Sequence, residues 1–290
     1  MKKLLTTLLS LTIALVPLQV AQANDQKVLA IIDTTIDSSK IPSVIYEACF
    51  AQSGSNTSCP NKTGFMEGRG SAGLQRIPAS GSVNAFSHGS TMTQTALLTS
   101  PDIKIVFVRI AHITDAGSIG VSNADSISRA VDWVSKNASK YSIDAVSISQ
   151  SFTSANNLLR CTNDKMILDA VSMLNNQSIP VFAATGNDRL TDKVGFPSCV
   201  SGVIGVGALA WSKNTKLPSD YTIMSPVTNR GTGLDVVAQG EQQIGTVQHT
   251  GTSVATAIAA SLYVSKNTDK NVSNFIGKFN RVLNYPYISK

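Results

Sequence analysis

Six short stretches of this chain are apolar with little or no interruption: residues 28–32 (Val-Leu-Ala-Ile-Ile), 103–110, 145–149, 180–184, 203–209 and 234–238. A strand with one wet face alternates apolar and polar residues. An unbroken apolar strand is buried on both faces, the habit of parallel sheets whose crossover helices cover each side. The segments between these runs have helical periodicity. Residues 126–135 place Ile127, Ala130, Val131 and Val134 on one face, and residues 166–174 do the same with Met166, Ala170, Val171 and Leu174. Residues 91–98 read as another helix, and a run of small residues from Ser253 through Leu262 reads as a last one, buried on all sides. Strands alternate with helices. The expected class is therefore α/β, in three layers, with a mostly parallel central sheet and helices on both faces. No internal repeat, low-complexity tract or linker interrupts the pattern, so residues 24–290 are expected to form a single domain.

The N-terminus has a different character. Lys2-Lys3 precedes an apolar run from Leu4 to Val20, broken by Pro17, and Ala21-Gln22-Ala23 offers a small-x-small site. This is the pattern of a secretory signal peptide spanning residues 1–23, and it predicts an exported protein, secreted or periplasmic. The run is short and polar for a membrane anchor, and no other stretch is long and apolar enough to span, so no membrane span is expected after signal cleavage. Export places the four cysteines in an oxidising compartment, where three pairings are open. Cys49 and Cys59 would close a short loop across a Gly-, Ser- and Asn-rich excursion, and Cys161 and Cys199 would then pair with each other. The net charge of +6 is spread along the chain rather than gathered in a basic tail, which gives no sign of a nucleic-acid partner.

Polar residues stand where the apolar elements begin and end. Asp33 closes the first run, His88 and Gly89 precede the helix of residues 91–98, Asn187 follows the fourth run, and Ser253 opens the last helix. Open α/β sheets place their chemistry at the carboxyl ends of the strands. Each residue alone has a plain structural alternative: Asp33 as a turn or cap, Ser253 as a helix cap. Together, and in this order, they carry a resemblance. Ile31-Ile32-Asp33-Thr34-Thr35-Ile36-Asp37, His88-Gly89-Ser90, Ala183-Ala184-Thr185-Gly186-Asn187 and Gly251-Thr252-Ser253-Val254-Ala255 resemble the aspartate, histidine, oxyanion-hole and nucleophile motifs of the subtilisin-like serine proteases. The resemblance runs from about residue 28 to 262 and implies a subtilisin-like serine endopeptidase acting on polypeptides. The competing order fails: an α/β-hydrolase needs its histidine after the serine, and none follows Ser253. Three histidines, His88, His112 and His249, with no His-Glu-x-x-His spacing, do not suggest a zinc site.

The resemblance implies roles. Asp33, His88 and Ser253 would be the triad, with Asn187 and the Ser253 N–H as oxyanion donors. Ser149, Gln150 and Ser151, Gly117 with the loop to Gly120, and Ala184, Thr185 and Gly186 would line the substrate. Ser151 and Thr185 stand where smaller residues are usual, and both are expected to narrow or polarise the first specificity pocket. Thr35 stands where a glycine is usual, which raises an expectation of local strain if φ must be positive. Ala257 and Gln239 stand where prolines are usual. Only residues 24–27 would separate signal cleavage from the first strand, leaving no room for the family's folding prodomain, so an inhibitor or partner protein is expected in its place. The weaker alternative is a catalytically inert peptide- or partner-binding protein. No cofactor is expected. The structural calcium sites common in the family have no residue-by-residue counterpart here, so no metal site is assigned.

Overall fold

The computed structural model describes residues 26–51, 59–73, 88–113, 119–120, 124–210 and 223–289. The strands are β1 (Val28–Asp33), β2 (Val44–Phe50), β3 (Phe65–Glu67), β4 (Lys104–Arg109), β5 (His112–Ile113), β6 (Ile119–Gly120), β7 (Ile143–Ile148), β8 (Val181–Ala184), β9 (Val203–Ala210), β10 (Ile223–Met224), β11 (Val236–Gln239), β12 (Glu241–Ile244), β13 (Val247–Thr250), β14 (Arg281–Val282) and β15 (Tyr285–Ile288). The helices are α1 (His88–Thr99), α2 (Ala124–Asn137), α3 (Ala155–Asn163), α4 (Lys165–Asn176), α5 (Thr252–Lys266) and α6 (Val272–Gly277).

The main sheet runs β3-β2-β4-β1-β7-β8-β9-β11-β15-β14, with β10 paired to β9. Every pairing from β2 to β15 is parallel, and the additions β3, β10 and β14 are antiparallel. The unbroken apolar runs are explained by the two faces. In β1, Val28, Ala30 and Ile32 join the core under α2 and α4, while Leu29 and Ile31 join the core under α1, α5 and α6. All six residues of β1 are buried, so no position in it tolerates solvent. This is the three-layer α/β arrangement the sequence predicts.

α2 buries Ile127, Ala130, Val131 and Val134, as its spacing predicts. In α4 the buried face is Ile167, Ala170, Val171 and Leu174, and Met166 is exposed. The expected stripe is correct except that Ile167 takes the place of its neighbour. α5 buries twelve of its residues, Thr252 and Val254 through Val264. Its alanines let it lie against β7, β8, β9 and β11 as a helix with no wet face. The helix continues straight through Ala257, and β11 extends through Gln239. Thr35 is fully buried and does not have a positive φ, so the strain a glycine would relieve is not present at that turn.

β2, α3, α6 and the hairpins β12–β13 and β14–β15 have no strong apolar pattern and were not expected. α3 buries no residue at all. Disulfides join Cys49 to Cys59 and Cys161 to Cys199, tying β2 to the loop after it and α3 to the connection between β8 and β9. No helix among the described residues is long and apolar enough to cross a membrane.

Candidate active site

β1 lies between β4 and β7. From β1 the chain passes to β2, two places to one side, returns inward to β4 beside β1, and then crosses β1 to build the other side through β7, β8 and β9. Such a reversal leaves a crevice beyond the carboxyl ends of the central strands. Asp33, the last residue of β1, sits at that point.

Three consecutive residues at the start of α1 are fastened to the segment leaving β1. His88 Nδ1 lies 2.7 Å from Asp33 Oδ1. The Gly89 N–H donates to Thr34 Oγ1 at 3.0 Å. The Asp37 N–H donates to Ser90 Oγ at 3.0 Å. The Asp33 side chain is fully buried, while that of His88 remains 36 % exposed at the mouth of a cleft. Burial pushes the His88 imidazole down, but the charge of Asp33 and the hydrogen bond to it outweigh burial and hold it above its ordinary value. With Nδ1 turned to the carboxylate, Nε2 is the ring atom left for a reacting group.

Ser253 is the second residue of α5, where backbone N–H groups have no intrahelical partner. Gly251 precedes the helix at φ 124°, and a Cβ there would come 3.1 Å from Asn187 Nδ2, so both the turn and the close approach require glycine. The Asn187 Oδ1 accepts from the Thr252 N–H and the Thr252 hydroxyl, both at 3.1 Å. That contact orients the amide and leaves its Nδ2 protons for another acceptor. The Ser253 hydroxyl donates to the Ser149 carbonyl at 2.9 Å, and the Ser149 hydroxyl donates back to the Ser253 carbonyl at 3.0 Å. A hydroxyl has one proton, so in this state Ser253 does not offer it to His88.

A cleft of about 440 Å³ brings these groups together, lined by Thr34, His88, Ser149, Gln150, Ser151, Ala184, Gly186, Asn187, Asp188, Thr252 and Ser253. A hydroxyl, an imidazole with its carboxylate, and an amide beside a helix N-terminus can together carry acyl transfer. The protein-family comparison matches the Peptidase S8 model, described as the subtilase family, over residues 25–265. The chain belongs to the subtilase family.

As a subtilase it is a subtilisin-like serine endopeptidase. Comparison with curated proteins gives no match. Among solved structures, the chain is similar to proteases from Pseudoalteromonas arctica PAMC 21717, with 16% identity over 90% of this chain and 85% of that one, at a TM-score of 0.64. It is also similar to a cold adapted subtilisin-like serine proteinase, with 17% identity over 91% and 90% of the two chains and a TM-score of 0.58. A third similar structure is Sphericase, 16% identical over 84% and 79%, again at 0.58. At such identities the likeness is one of fold.

Within this subtilase cleft, Gly117 lies outside the described residues, and Thr185 does not belong to the lining. Thr185 is fully buried, with its Cγ2 facing Gly205 of β9. Alternation along the extended chain turns it away from its lining neighbours Ala184 and Gly186. Ser151, the other position expected to narrow the pocket, does belong to the lining. Ser151 Oγ donates to the Thr185 carbonyl at 3.2 Å and would clash with a Cβ at either Gly186 or Gly195. Asn229 was not anticipated. It is fully buried and organises the whole loop that presents Asn187. Its Oδ1 accepts from the N–H groups of Asp188 and Leu190, its Nδ2 donates to the Thr185 carbonyl and to Asp188 Oδ2, and its own N–H donates to the Gly186 carbonyl. An asparagine in a Thr-Asn-Arg-Gly turn carries no sequence signal for that duty. Among the described residues no cluster of three or more His, Cys, Asp or Glu could hold a metal ion.

Proposed function

We propose that this subtilase is an exported endopeptidase that cleaves polypeptides through an acyl-enzyme on Ser253. His88 acts as general base, Asp33 as its orienting partner, and Asn187 with the Ser253 N–H as oxyanion donors. The observation that carries this reading is the 2.7 Å contact between buried Asp33 and His88 on a cleft also lined by Ser253 and Asn187. The substrate backbone lies along residues 149–151 and Gly186. Rotation of the Ser253 side chain away from the Ser149 carbonyl gives its proton to His88 Nε2 as Oγ bonds to the scissile carbon. The negative charge passes to the carbonyl oxygen, where Asn187 Nδ2 and the helix N-terminus receive it. The imidazolium, steadied by Asp33, protonates the amine, which leaves as the C–N bond breaks. Water then repeats the sequence and frees Ser253. Export rests on the signal-like pattern of residues 1–23.

A second reading has one observation in its favour: the Ser253 hydroxyl is committed to Ser149 rather than to His88. In that reading the cleft binds peptides without cutting them. A fluorophosphonate probe separates the two. The folded protein is expected to take one label, on Ser253, and the Ser253→Ala variant none. If the folded protein stays unlabelled while a control serine protease reacts, the enzymatic reading fails and the binding reading stands.

A further inference from the structure

Gln150 follows β7 and lines the cleft, but its side chain is directed at the Asp33–His88 pair. Its Nε2 lies 3.3 Å from Asp33 Oδ1 and 3.4 Å from His88 Nδ1. Asp33 Oδ1 therefore has three donors around it: the Thr34 N–H at 2.6 Å, His88 Nδ1 at 2.7 Å and Gln150 Nε2 at 3.3 Å. Asp33 Oδ2 has no partner among the described residues. The three donors reach that one oxygen from the chain beyond β1, from the start of α1, and from the end of β7. The carboxylate is thus fixed from three directions.

We propose that Gln150 is a positioning residue for the Asp33–His88 pair: its amide donates to Asp33 Oδ1, holds the carboxylate and imidazole in one mutual orientation, and moderates the carboxylate's hold on the ring. The proposal rests on the reading of His88 as the base. A carboxylate oxygen shared by three donors attracts each of them less than one shared by two. The positive end of the Gln150 amide dipole also lies close to Nδ1, where it opposes a charged ring. A general base must release its proton to the leaving amine within the same turnover, so an imidazole held too firmly in its charged form works poorly at neutral pH. Among the described residues, few other charges face His88. Asp33 on β1 contacts it directly. Asp188 lines the same cleft. Arg109 of β4 is in register with Asp33, but its guanidinium is engaged by the carbonyls of Ala111 and Gly73. The first turn of α1 has no acidic residue. A neutral donor at position 150 is therefore well placed to set the balance.

The test compares the wild type with Gln150→Met, which keeps the length of the side chain but removes the donor, and Gln150→Glu, which keeps the shape but adds an anion. The His88 C2–H resonance, assigned by its loss in His88→Ala, is titrated by NMR in each protein. In parallel, kcat and KM are measured against pH on one peptide. Gln150→Met is expected to raise the His88 pKa by about half a unit, and Gln150→Glu by about one unit. In Gln150→Met, kcat is expected to fall several-fold while KM hardly moves. An unchanged His88 titration in both variants overturns the proposal, as does a rise in KM alone, which would make Gln150 an ordinary substrate contact. Because the NMR titration needs no turnover, shifted titrations in a protein that cuts no peptide would sink the protease reading and leave the positioning role intact. If one variant fails to fold, the other still decides by the same criteria.

Discussion

His88 pulls activity and stability in opposite directions as pH changes. Its folded pKa lies above the ordinary value of about 6.5, because Asp33 outweighs burial. The base form is needed for turnover, so kcat/KM is expected to decline on acidification from a pH above about 6.5, earlier than for an unpaired imidazole. The sign for stability is the reverse. A raised folded pKa means that folding favours the protonated ring. The stabilisation is complete below the unfolded pKa and is lost as pH rises through the folded value. His88→Ala is therefore expected to cost more stability near about pH 5 than near about pH 9 in urea titrations. An equal cost at both ends would mean that Asp33 does not raise the His88 pKa, and full activity near about pH 4 would remove His88 from the base role. At this scale the sequence was readable where a residue closes or opens an apolar element, as Asp33, His88 and Ser253 do. It was not readable where the duty lies in a turn, as with Asn229. It was misleading at Thr185, because the side a residue faces depends on strand alternation that a motif comparison ignores.

The start of α1 is the element on which the geometry of the site turns. His88 is its first residue, and Gly89 is jammed against two other elements. A Cβ on Gly89 would come 2.4 Å from the Thr35 carbonyl oxygen and 2.5 Å from Cζ of Phe107 in β4. Neither neighbour can retreat, since Thr35 and Phe107 are both fully buried. Gly89→Ala must therefore push the helix start outward and carry the imidazole with it. Overpacking of this kind costs about 1–3 kcal/mol of stability. A shift of about 1 Å in a catalytic group costs on the order of 100-fold in rate. Gly277→Ala is the matching control, because a Cβ there meets nothing within 4 Å. Thermal melts and kcat/KM on one peptide should show a modest loss of stability and a large loss of activity for Gly89→Ala, and neither for the control. Unimpaired activity in Gly89→Ala would mean that the docking of α1 does not set the position of His88. The long elements themselves were legible, since a strand buried on both faces and a helix with one apolar stripe leave distinct periodicities. β2 escaped because Glu47 breaks its run, the β12–β13 hairpin because its strands are short and polar, and β14–β15 because its strands are short and the second holds a proline.

At the scale of the molecule, periodicity reveals that the sheet is parallel but not the order of its strands. Nothing local in β1 says that β4 and β7 will flank it, although that placement creates the crevice. The two disulfides lie very differently in this architecture. Cys49–Cys59 closes 10 residues beyond β2, two strands away from β1. Cys161–Cys199 closes 38 residues and anchors α3, which buries nothing of its own, to the connection between β8 and β9. That same connection carries Gly195, packed on Ser151, and Phe196, bridged to Phe152 beside the cleft. The chain-entropy estimate gives about 3 kcal/mol for a loop of the shorter length and about 4 kcal/mol for the longer. Replacing both cysteines of each bridge by alanine should therefore lower stability by similar amounts, slightly more for Cys161–Cys199. The effects on catalysis should separate. Loss of Cys161–Cys199 frees the segment that backs Ser151 and should raise KM and lower kcat/KM at temperatures where the protein is still folded. Loss of Cys49–Cys59 should leave both unchanged. Urea titration paired with peptide kinetics measures each quantity on the same samples. If removal of Cys49–Cys59 were the change that crippled turnover, with Cys161–Cys199 dispensable, the cleft would have to be supported from the β2 side of the sheet instead.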